Sequence, residues 1–352
     1  MITQLCVCGG GVRGISFVAA LYYLQQNKFF NIRQITKISS VSIGSFISAC
    51  LLIGYEPDSL VDVLWNSDFK QCKDIDLGNI FKQYSLLKGD ALKCFFYDIL
   101  KLKGNPHISL LELYEMTHCD FYLAVTDLKR HCNTFISHQT HPNLPLIDAL
   151  IMTTSIPILT PPIYDEINET FYVDGALINN LPLEPLYLDF DLIKNKDKQN
   201  KATLIITTDL SSIEKREEKE KEKEKEKETK NYHYNKKTIK KEQTFFSYLF
   251  NLLQIIYDRT YEKCTKLQHY QTFNQETYLC EIRNINGISV TSFNITKDDK
   301  LKLVLAGQEA AMNTISKSKT LTPNQQQQQH NQERSDSISI SSSNESNCND
   351  TE

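Results

Sequence analysis

Short apolar runs alternate with longer segments of helical periodicity through the first half of the chain. Residues 5–8 form an apolar run that predicts a buried strand, and three glycines follow it at positions 9–11. Apolar residues within 15–22 then recur on one helical face. The same order of strand, tight turn and helix returns at residues 35–39 and 43–52, so the chain begins with two similar units.

The remainder of the pattern contains both types of element. Apolar residues at helical spacing predict a mainly helical segment over 57–118 and helices over 148–153, 245–260 and 300–315. Further strands are predicted at 121–125, 134–136, 171–173, 204–208 and 278–282. Strands that alternate with helices are typical of α/β folds. We therefore predict a three-layer α/β/α sandwich around a mainly parallel sheet.

Two low-complexity segments interrupt or end this pattern. Residues 213–243 are rich in Lys and Glu, which alternate over 214–228, and residues 316–352 are rich in Gln, Ser and Asn. Neither composition can bury enough apolar surface to fold alone. We expect a core domain over 5–190 that is completed by 191–212 and 244–315, with a solvated insertion at 213–243 and a disordered tail at 316–352.

The bulk composition disfavours several classes of protein. The net charge of -4 gives no indication of nucleic-acid binding, so no nucleic-acid partner is expected. The ten cysteines include no CxxC pair and the N-terminus has no features of a secretory signal, so we expect reduced thiols in a cytoplasmic protein. No apolar run reaches the roughly 18 residues that span a bilayer, so any membrane contact is expected to be peripheral.

The glycine segment Gly9-Gly10-Gly11-Val12-Arg13-Gly14 fits G-x-G-x-x-G, which also occurs in dinucleotide-binding folds. In both uses, glycines let backbone N–H groups converge on a negative charge at a helix N-terminus. A dinucleotide site also needs an acidic residue near the end of the second strand. None stands there, so the pattern favours another use of these amides.

Two further turns carry candidate catalytic side chains. Ser40-Val41-Ser42-Ile43-Gly44 is similar to the nucleophile elbow G-x-S-x-G, with Ser40 in place of the first glycine, although a plain helix N-cap is the alternative. Asp174 ends a predicted strand beside Gly175, where an Asx turn is the alternative. Because the carboxyl ends of parallel strands gather at one sheet edge, Ser42 and Asp174 are expected to meet there.

Four sequence blocks, in this order, resemble the patatin-like phospholipase family. They are the glycine segment, the Ser42-Ile43-Gly44 elbow, a proline-rich block at residues 154–162, and a block that begins at Asp174-Gly175-Ala176 and ends at Pro182. The order and spacing of the blocks are more specific than any one of them. The resemblance covers about residues 5–190 and implies a patatin-like fold and the hydrolysis of acyl esters.

The resemblance also implies a set of site residues. Ser42 would be the nucleophile and Asp174 the base of a Ser–Asp dyad without a histidine. The developing oxyanion would be bound by backbone amides of Gly9, Gly10, Gly11 and Val12. The supporting residues implied by the motifs are Arg13, Gly14, Ser40, Gly44, Gly175 and Ala176. Arg13 would either orient the glycine loop or attract a phosphate headgroup.

The implied partners are a phospholipid or other acyl-ester substrate and, transiently, the surface of a membrane or lipid droplet. The resemblance implies no metal and no cofactor.

Departures from the family pattern leave alternatives open. Ser40 replaces the usual elbow glycine, Cys8 stands where an acid is common, and Thr153-Thr154 stand where Ala-Ser is usual. The rival chemistry is a Ser-Asp-His triad, which would use His233, His269 or His330. The rival function is a catalytically silent lipid-binding or scaffolding protein with the same fold.

Overall fold

A computed structural model describes residues 1–187, 202–208, 277–285 and 287–319. Within these residues, the strands are β1 (Ile2–Val7), β2 (Lys37–Val41), β3 (Asp120–Asp127), β4 (Cys132–Ile136), β5 (Ile163–Asp165), β6 (Thr170–Asp174), β7 (Ala202–Thr208) and β8 (Thr277–Ile282). They form one sheet with the order β5-β6-β3-β2-β1-β7-β8, and β4 pairs with β3 outside this path. Each strand predicted from the sequence is present, whereas the three-residue strand β5 was not predicted.

Helices flank the sheet. Among the described residues, the main helices are α1 (Gly14–Gln26), α2 (Ile43–Leu52), α3 (Pro57–Asn66), α4 (Asn79–Gln83), α5 (Asp90–Lys101), α6 (Leu110–Thr117), α7 (Leu146–Thr153) and α8, which spans residues 297–319. The pairs β1–β2, β2–β3, β1–β7 and β7–β8 are parallel, while β4, β5 and β6 join in antiparallel pairs. The predicted α/β fold with a mainly parallel sheet is therefore confirmed.

The centre of the sheet is buried on both faces. Every residue of β2 and of β7 is buried, which is typical of parallel strands covered by helices on both sides. The main hydrophobic core contains side chains from these strands together with α1, α2, α5 and α7. The Ser42 end of β2 therefore lies in the buried centre of the sheet.

One edge of β3 is shared by two strands that meet end to end. The parallel pairing of β2 with β3 ends at Val41 opposite Ala124, and the antiparallel pairing of β6 begins at Asp174 opposite Val125. Because β4 occupies the other edge of β3 from Leu123 onward, β2 and β6 must lie on the same edge. The carboxyl ends of β2 and β6 therefore point towards each other.

Two glycines allow this close approach. A Cβ atom at Gly44 would lie 2.4 Å from the carbonyl oxygen of Cys8, and a Cβ at Gly175 would lie 2.4 Å from the carbonyl oxygen of Ala124. Both distances are far below van der Waals contact. The turns that follow β2 and β6 can therefore pack against neighbouring backbone only with glycine at these positions.

Several predictions about segments differ from the structure or lie outside the described residues. The tail was predicted to begin at residue 316, whereas α8 continues to residue 319, because each added helical residue gains a backbone hydrogen bond once the helix is formed. The predicted helix at 245–260, the insertion at 213–243 and the tail beyond 319 lie outside the described residues. Among the described helices, none combines the length and the apolar character that a bilayer span requires.

Candidate active site

Ser42 occupies a strained turn between β2 and α2. Its φ of 54° and ψ of -131° place a residue with a side chain in a region that favours glycine. The turn leads directly into the helix, because the carbonyl of Ser42 accepts a hydrogen bond from the N–H of Ser45 at 2.9 Å. This geometry presents the Ser42 hydroxyl at the end of the strand, as a nucleophile elbow does.

The Ser42 hydroxyl and the Asp174 carboxylate form a short hydrogen bond. Ser42 Oγ donates to Asp174 Oδ2 at 2.6 Å, and both side chains are buried, with 6% and 4% of their surface exposed. The second carboxylate oxygen accepts from the N–H of Ala176 at 2.9 Å. The backbone N–H of Asp174 donates to the carbonyl of Ser155 at 2.8 Å, so both the carboxylate and its backbone are held in place.

Burial dominates the electrostatics of this pair. Removal of the carboxylate from water raises the pKa of Asp174 from an ordinary value of 3.8 to about 7, although the hydrogen bonds from Ser42 and Ala176 act in the opposite direction. A carboxyl group with a pKa near neutrality is a far stronger base than an exposed aspartate. The site therefore combines a hydroxyl with a base that is able to accept its proton.

Two backbone amides of the glycine loop have no acceptor among the described residues. Within the described part of the chain, the N–H groups of Gly10 and Gly11 have no hydrogen-bond partner. The N–H of Gly9 donates to Asn180 Oδ1 at 2.9 Å, and the N–H of Val12 donates to the carbonyl of Val290 at 3.2 Å. Protein acceptors thus occupy the N–H groups of Gly9 and Val12, two of the four amides that the sequence analysis expects to bind the oxyanion.

Asn180 fixes the glycine loop beside Ser42 and was not singled out from the sequence. Its side-chain amide also donates from Nδ2 to the carbonyl of Gly9 at 3.3 Å, so one side chain binds both backbone groups of this glycine. A Cβ at Gly9 would lie 2.6 Å from Asn180 Oδ1 and 3.1 Å from the Cβ of Ser42. The position of Asn180 after the Asp174 turn was visible in the sequence, but its partner across the fold was not.

Arg13 anchors a distant loop on the glycine segment. Its Nε donates to the carbonyl of Ile288 at 2.7 Å, next to the contact between Val12 and Val290. Gly11 has a φ of 52°, and a Cβ there would almost overlap the carbonyl oxygen of Val290. Two roles were considered for Arg13, orienting the glycine loop and attracting a phosphate headgroup. The observed contact is of the kind that orients the loop.

The other motif residues pack around the elbow. The Ser40 hydroxyl, which replaces the usual glycine, is buried and donates to Ser45 Oγ at 3.0 Å, so the fold accommodates it without an unsatisfied polar group. A Cβ at Gly14 would lie 2.7 Å from Cγ1 of Ile43, which explains the glycine where α1 approaches α2. Ala176 supplies the backbone amide that holds the Asp174 carboxylate.

Thr153 links the elbow to the sheet, and the sequence indicated it only as a departure from the family pattern. Its Oγ1 accepts from the N–H of Ser42 at 3.0 Å and donates to the carbonyl of Ala124 at 2.6 Å. The threonine is fully buried at the end of α7. An alanine at this position could bond neither the N–H of Ser42 nor the carbonyl of Ala124. The threonine hydroxyl therefore supplies the acceptor for the N–H of Ser42 at the strained turn.

No histidine contacts the pair among the described residues. The hydrogen-bond partners of the Ser42 and Asp174 side chains are each other and the Ala176 amide. His233, His269 and His330, which a triad would require, lie outside the described residues.

The protein therefore has an α/β fold in which a buried serine–aspartate pair lies where β2 turns into α2. Residues 5–187 match the model of the patatin-like phospholipase family, and the chain belongs to this family. The matched region contains both members of the pair, the glycine loop and the proline-rich block.

The chain is also similar to sequence relatives and, in its fold, to a solved structure. The chain is 26% identical over 207 residues to the probable lipid hydrolase 463L of Invertebrate iridescent virus 6, which covers 58% of this chain and 69% of that protein. It is also 26% identical over 198 residues to the uncharacterized protein R571 of Acanthamoeba polyphaga mimivirus. This match covers 54% of this chain and 63% of R571, which is less than two thirds of the length of R571.

The solved structure of VipD from Legionella pneumophila has a similar fold, with a TM-score of 0.54 at 12% identity, over 90% of this chain and 67% of that chain.

Replacement of Thr153 by valine tests its link to the elbow. Valine has the same shape but leaves the buried N–H of Ser42 unsatisfied, so we expect the free energy of unfolding to fall by about 1–3 kcal/mol. Urea denaturation followed by circular dichroism measures this change. Thr153→Ser keeps the hydroxyl and is the matched control; equal stability losses in the two variants would show that the hydrogen bond contributes nothing.

Proposed function

We propose that the protein is a lipid acyl hydrolase that cleaves carboxylic esters with Ser42 as nucleophile and Asp174 as general base. The observation that carries the proposal is the 2.6 Å hydrogen bond between the two side chains at a strained strand-to-helix turn. Membership of the patatin-like phospholipase family supports the reaction class. A structural role alone would not require a buried carboxyl with a pKa of about 7 directed at a serine hydroxyl.

The first half of the reaction forms an acyl-enzyme. Ser42 Oγ attacks the ester carbonyl carbon while its proton passes to Asp174 Oδ2, along the hydrogen bond that already joins the two atoms. The carbonyl oxygen becomes an oxyanion in a tetrahedral intermediate. Collapse of the intermediate breaks the bond to the alcohol, and Asp174 returns the proton to the departing alkoxide.

The oxyanion is stabilised by the amides of Gly10 and Gly11, the two N–H groups of the glycine loop without a protein acceptor in the described residues. Asn180 and Arg13 hold the two ends of this loop, so the donors need little reorganisation during the reaction. One such donor is typically worth a factor of about 10² to 10³ in rate.

The second half releases the acid. Asp174 takes a proton from a water molecule, whose oxygen attacks the acyl carbonyl to form a second tetrahedral intermediate. Its collapse breaks the bond between the acyl carbon and Ser42 Oγ and releases a carboxylic acid, while Asp174 returns the proton to Ser42 Oγ. The proposed substrates are phospholipids or related acyl esters, reached by transient contact with a membrane or lipid-droplet surface. The steps require no metal or cofactor.

Hydrolysis by point variants tests the proposed pair. Without added metal, we expect the wild type to hydrolyse phospholipids or nitrophenyl esters, and Ser42→Ala and Asp174→Asn to lose at least about a thousandfold in kcat while remaining folded. Ser48→Ala is the matched control, because Ser48 is a buried serine of α2 whose hydroxyl has no partner within the described residues. Variants as active as wild type would contradict the dyad, and an inactive wild type would favour a lipid-binding scaffold.

The pKa of Asp174 predicts the pH dependence of the reaction. Because burial raises this pKa to about 7, the carboxyl is protonated at lower pH and cannot accept the serine proton. We expect kcat/KM for a soluble ester to rise about tenfold per pH unit up to about pH 7 and then to level off. A rate that stays constant down to pH 5 would mean that the base is an ordinary exposed carboxylate.

A further inference from the structure

Residues 287–295, which we name the strap, lie between β8 and α8 in the chain and against the glycine loop in the fold. The strap consists of turns and irregular backbone, with no helix or strand of its own. It lies outside residues 5–187, the region that matches the family model. Its contacts with the glycine loop are therefore additional to the four motifs that indicate the hydrolase site.

The strap contacts three consecutive residues of the glycine loop. The carbonyl of Val290 accepts the N–H of Val12 at 3.2 Å, and the carbonyl of Ile288 accepts Nε of Arg13 at 2.7 Å. Gly11 has a φ of 52°, and a Cβ there would overlap the carbonyl oxygen of Val290. The backbone of the strap thus packs directly on the backbone of the glycine loop.

The glycine loop is held on both sides of its two free amides. Asn180 binds the N–H and the carbonyl of Gly9, and the strap binds Val12. Gly10 and Gly11 lie between these points, and glycine has more backbone freedom than any other residue. The orientation of their N–H groups therefore depends on contacts at each end of the loop, and the strap supplies one of the two.

The strap is itself anchored near both ends. The Ile288 side chain is buried in the main hydrophobic core, and Phe293 packs against the same core. Beyond the strap, Lys300 in the first turn of α8 donates from Nζ to the carbonyls of Trp65 and Ser67, both at 2.6 Å. The start of α8 is therefore fixed to the end of α3, so the strap has a defined position from which to hold the glycine loop.

A plain connection between β8 and α8 would not need this contact. The approach of Val290 requires a residue without a Cβ at position 11, and the left-handed backbone there also favours glycine. The Arg13 side chain is directed to the strap as well, although a first-turn arginine is usually solvated. Two separate features of the glycine loop are thus matched to the strap.

We propose that the strap is a positioning segment of the oxyanion site, which keeps the N–H groups of Gly10 and Gly11 in the orientation that binds the oxyanion. The proposal rests on the proposed hydrolase function for its link to catalysis. The side-chain hydrogen bonds of Ser42 and Asp174 involve no strap residue. The strap therefore acts on the stabilisation of the developing negative charge and leaves the nucleophile and the base unchanged.

Two variants loosen the strap without changing Ser42 or Asp174. Ile288→Ala removes the buried side chain that anchors the strap, and Arg13→Met removes the donor to the carbonyl of Ile288. For a soluble acetyl nitrophenyl ester, we expect each variant to lower kcat by about 10- to 100-fold while KM changes by less than about twofold.

Ile32→Ala is the matched control for the loss of a buried side chain. Ile32 is a core isoleucine that precedes β2, whereas Ser42 follows the other end of this strand. We expect its kcat to stay within about twofold of the wild type. Thermal unfolding verifies that each variant is folded.

A trifluoromethyl ketone measures the binding of the oxyanion itself. Ser42 Oγ forms a bond to the ketone carbon, the carbonyl π electrons move to the oxygen, and the serine proton passes to Asp174, so the adduct carries an oxyanion. We expect its affinity to fall by the same factor as kcat in both strap variants. The matching secondary alcohol cannot form the adduct and is expected to bind the variants and the wild type equally.

Amide hydrogen exchange measures the hold of the strap without any catalysis. The N–H of Val12 is bonded to the strap, so we expect it to exchange at least about tenfold faster in Ile288→Ala and Arg13→Met, and at the wild-type rate in Ile32→Ala. Because coupling is reciprocal, the ketone adduct is expected to slow this exchange in the wild type.

The exchange and kinetic results together separate failure of the strap from failure of the hydrolase function. Faster exchange in both strap variants, with the loss of kcat and of ketone affinity, supports the proposal. Faster exchange in a protein whose wild type hydrolyses no ester would leave the hold of the strap standing and remove the hydrolase function. Unchanged exchange in both variants, or faster exchange with wild-type kcat, would overturn the proposal, and an active wild type would then leave the hydrolase function standing.

Discussion

The buried hydrogen bond between Ser42 and Asp174 is the interaction around which the local structure is arranged. It joins two strands that run in opposite directions along one edge of β3 and stop at consecutive residues, Ala124 and Val125. A slip of one residue in either pairing would turn one of these two side chains to the other face of the sheet. The register of β3 therefore determines whether a site can exist.

This interaction has two energetic costs that the surroundings offset. Ser42 has a backbone conformation that favours glycine, and Asp174 is a carboxyl group removed from water. Thr153 satisfies the backbone N–H of the strained turn, and Ala176 donates to the second carboxylate oxygen. Strain held by surrounding contacts is common at functional sites. Here the same burial that disfavours the charged carboxylate also raises the pKa of Asp174 to about 7.

Much of the fold and part of the site were predictable from the sequence. Apolar periodicity located the strands, and the residue types of Ser42, Asp174 and the glycine loop indicated the kind of chemistry. We expected the pair to meet because parallel strands end together, but β6 is antiparallel and meets β2 end to end. Local sequence does not encode the direction of a strand, since that depends on the connection around it.

The contacts of the glycine loop that sequence reasoning missed join residues far apart in the chain. Asn180 binds the backbone of Gly9, 171 positions away, and Val290 takes the amide of Val12. Composition and spacing describe what a side chain can do, whereas its partner is set by the tertiary fold. The number of free amides in the glycine loop could therefore be counted only in the structure.

Labelling with a long-chain fluorophosphonate, followed by peptide mass spectrometry, tests most directly whether Ser42 is an activated nucleophile. We expect a single covalent adduct on the peptide that contains Ser42, formed faster at pH 8 than at pH 5 because Asp174 must be ionised. Absence of an adduct on the folded protein, or an adduct on another serine only, would contradict the catalytic assignment.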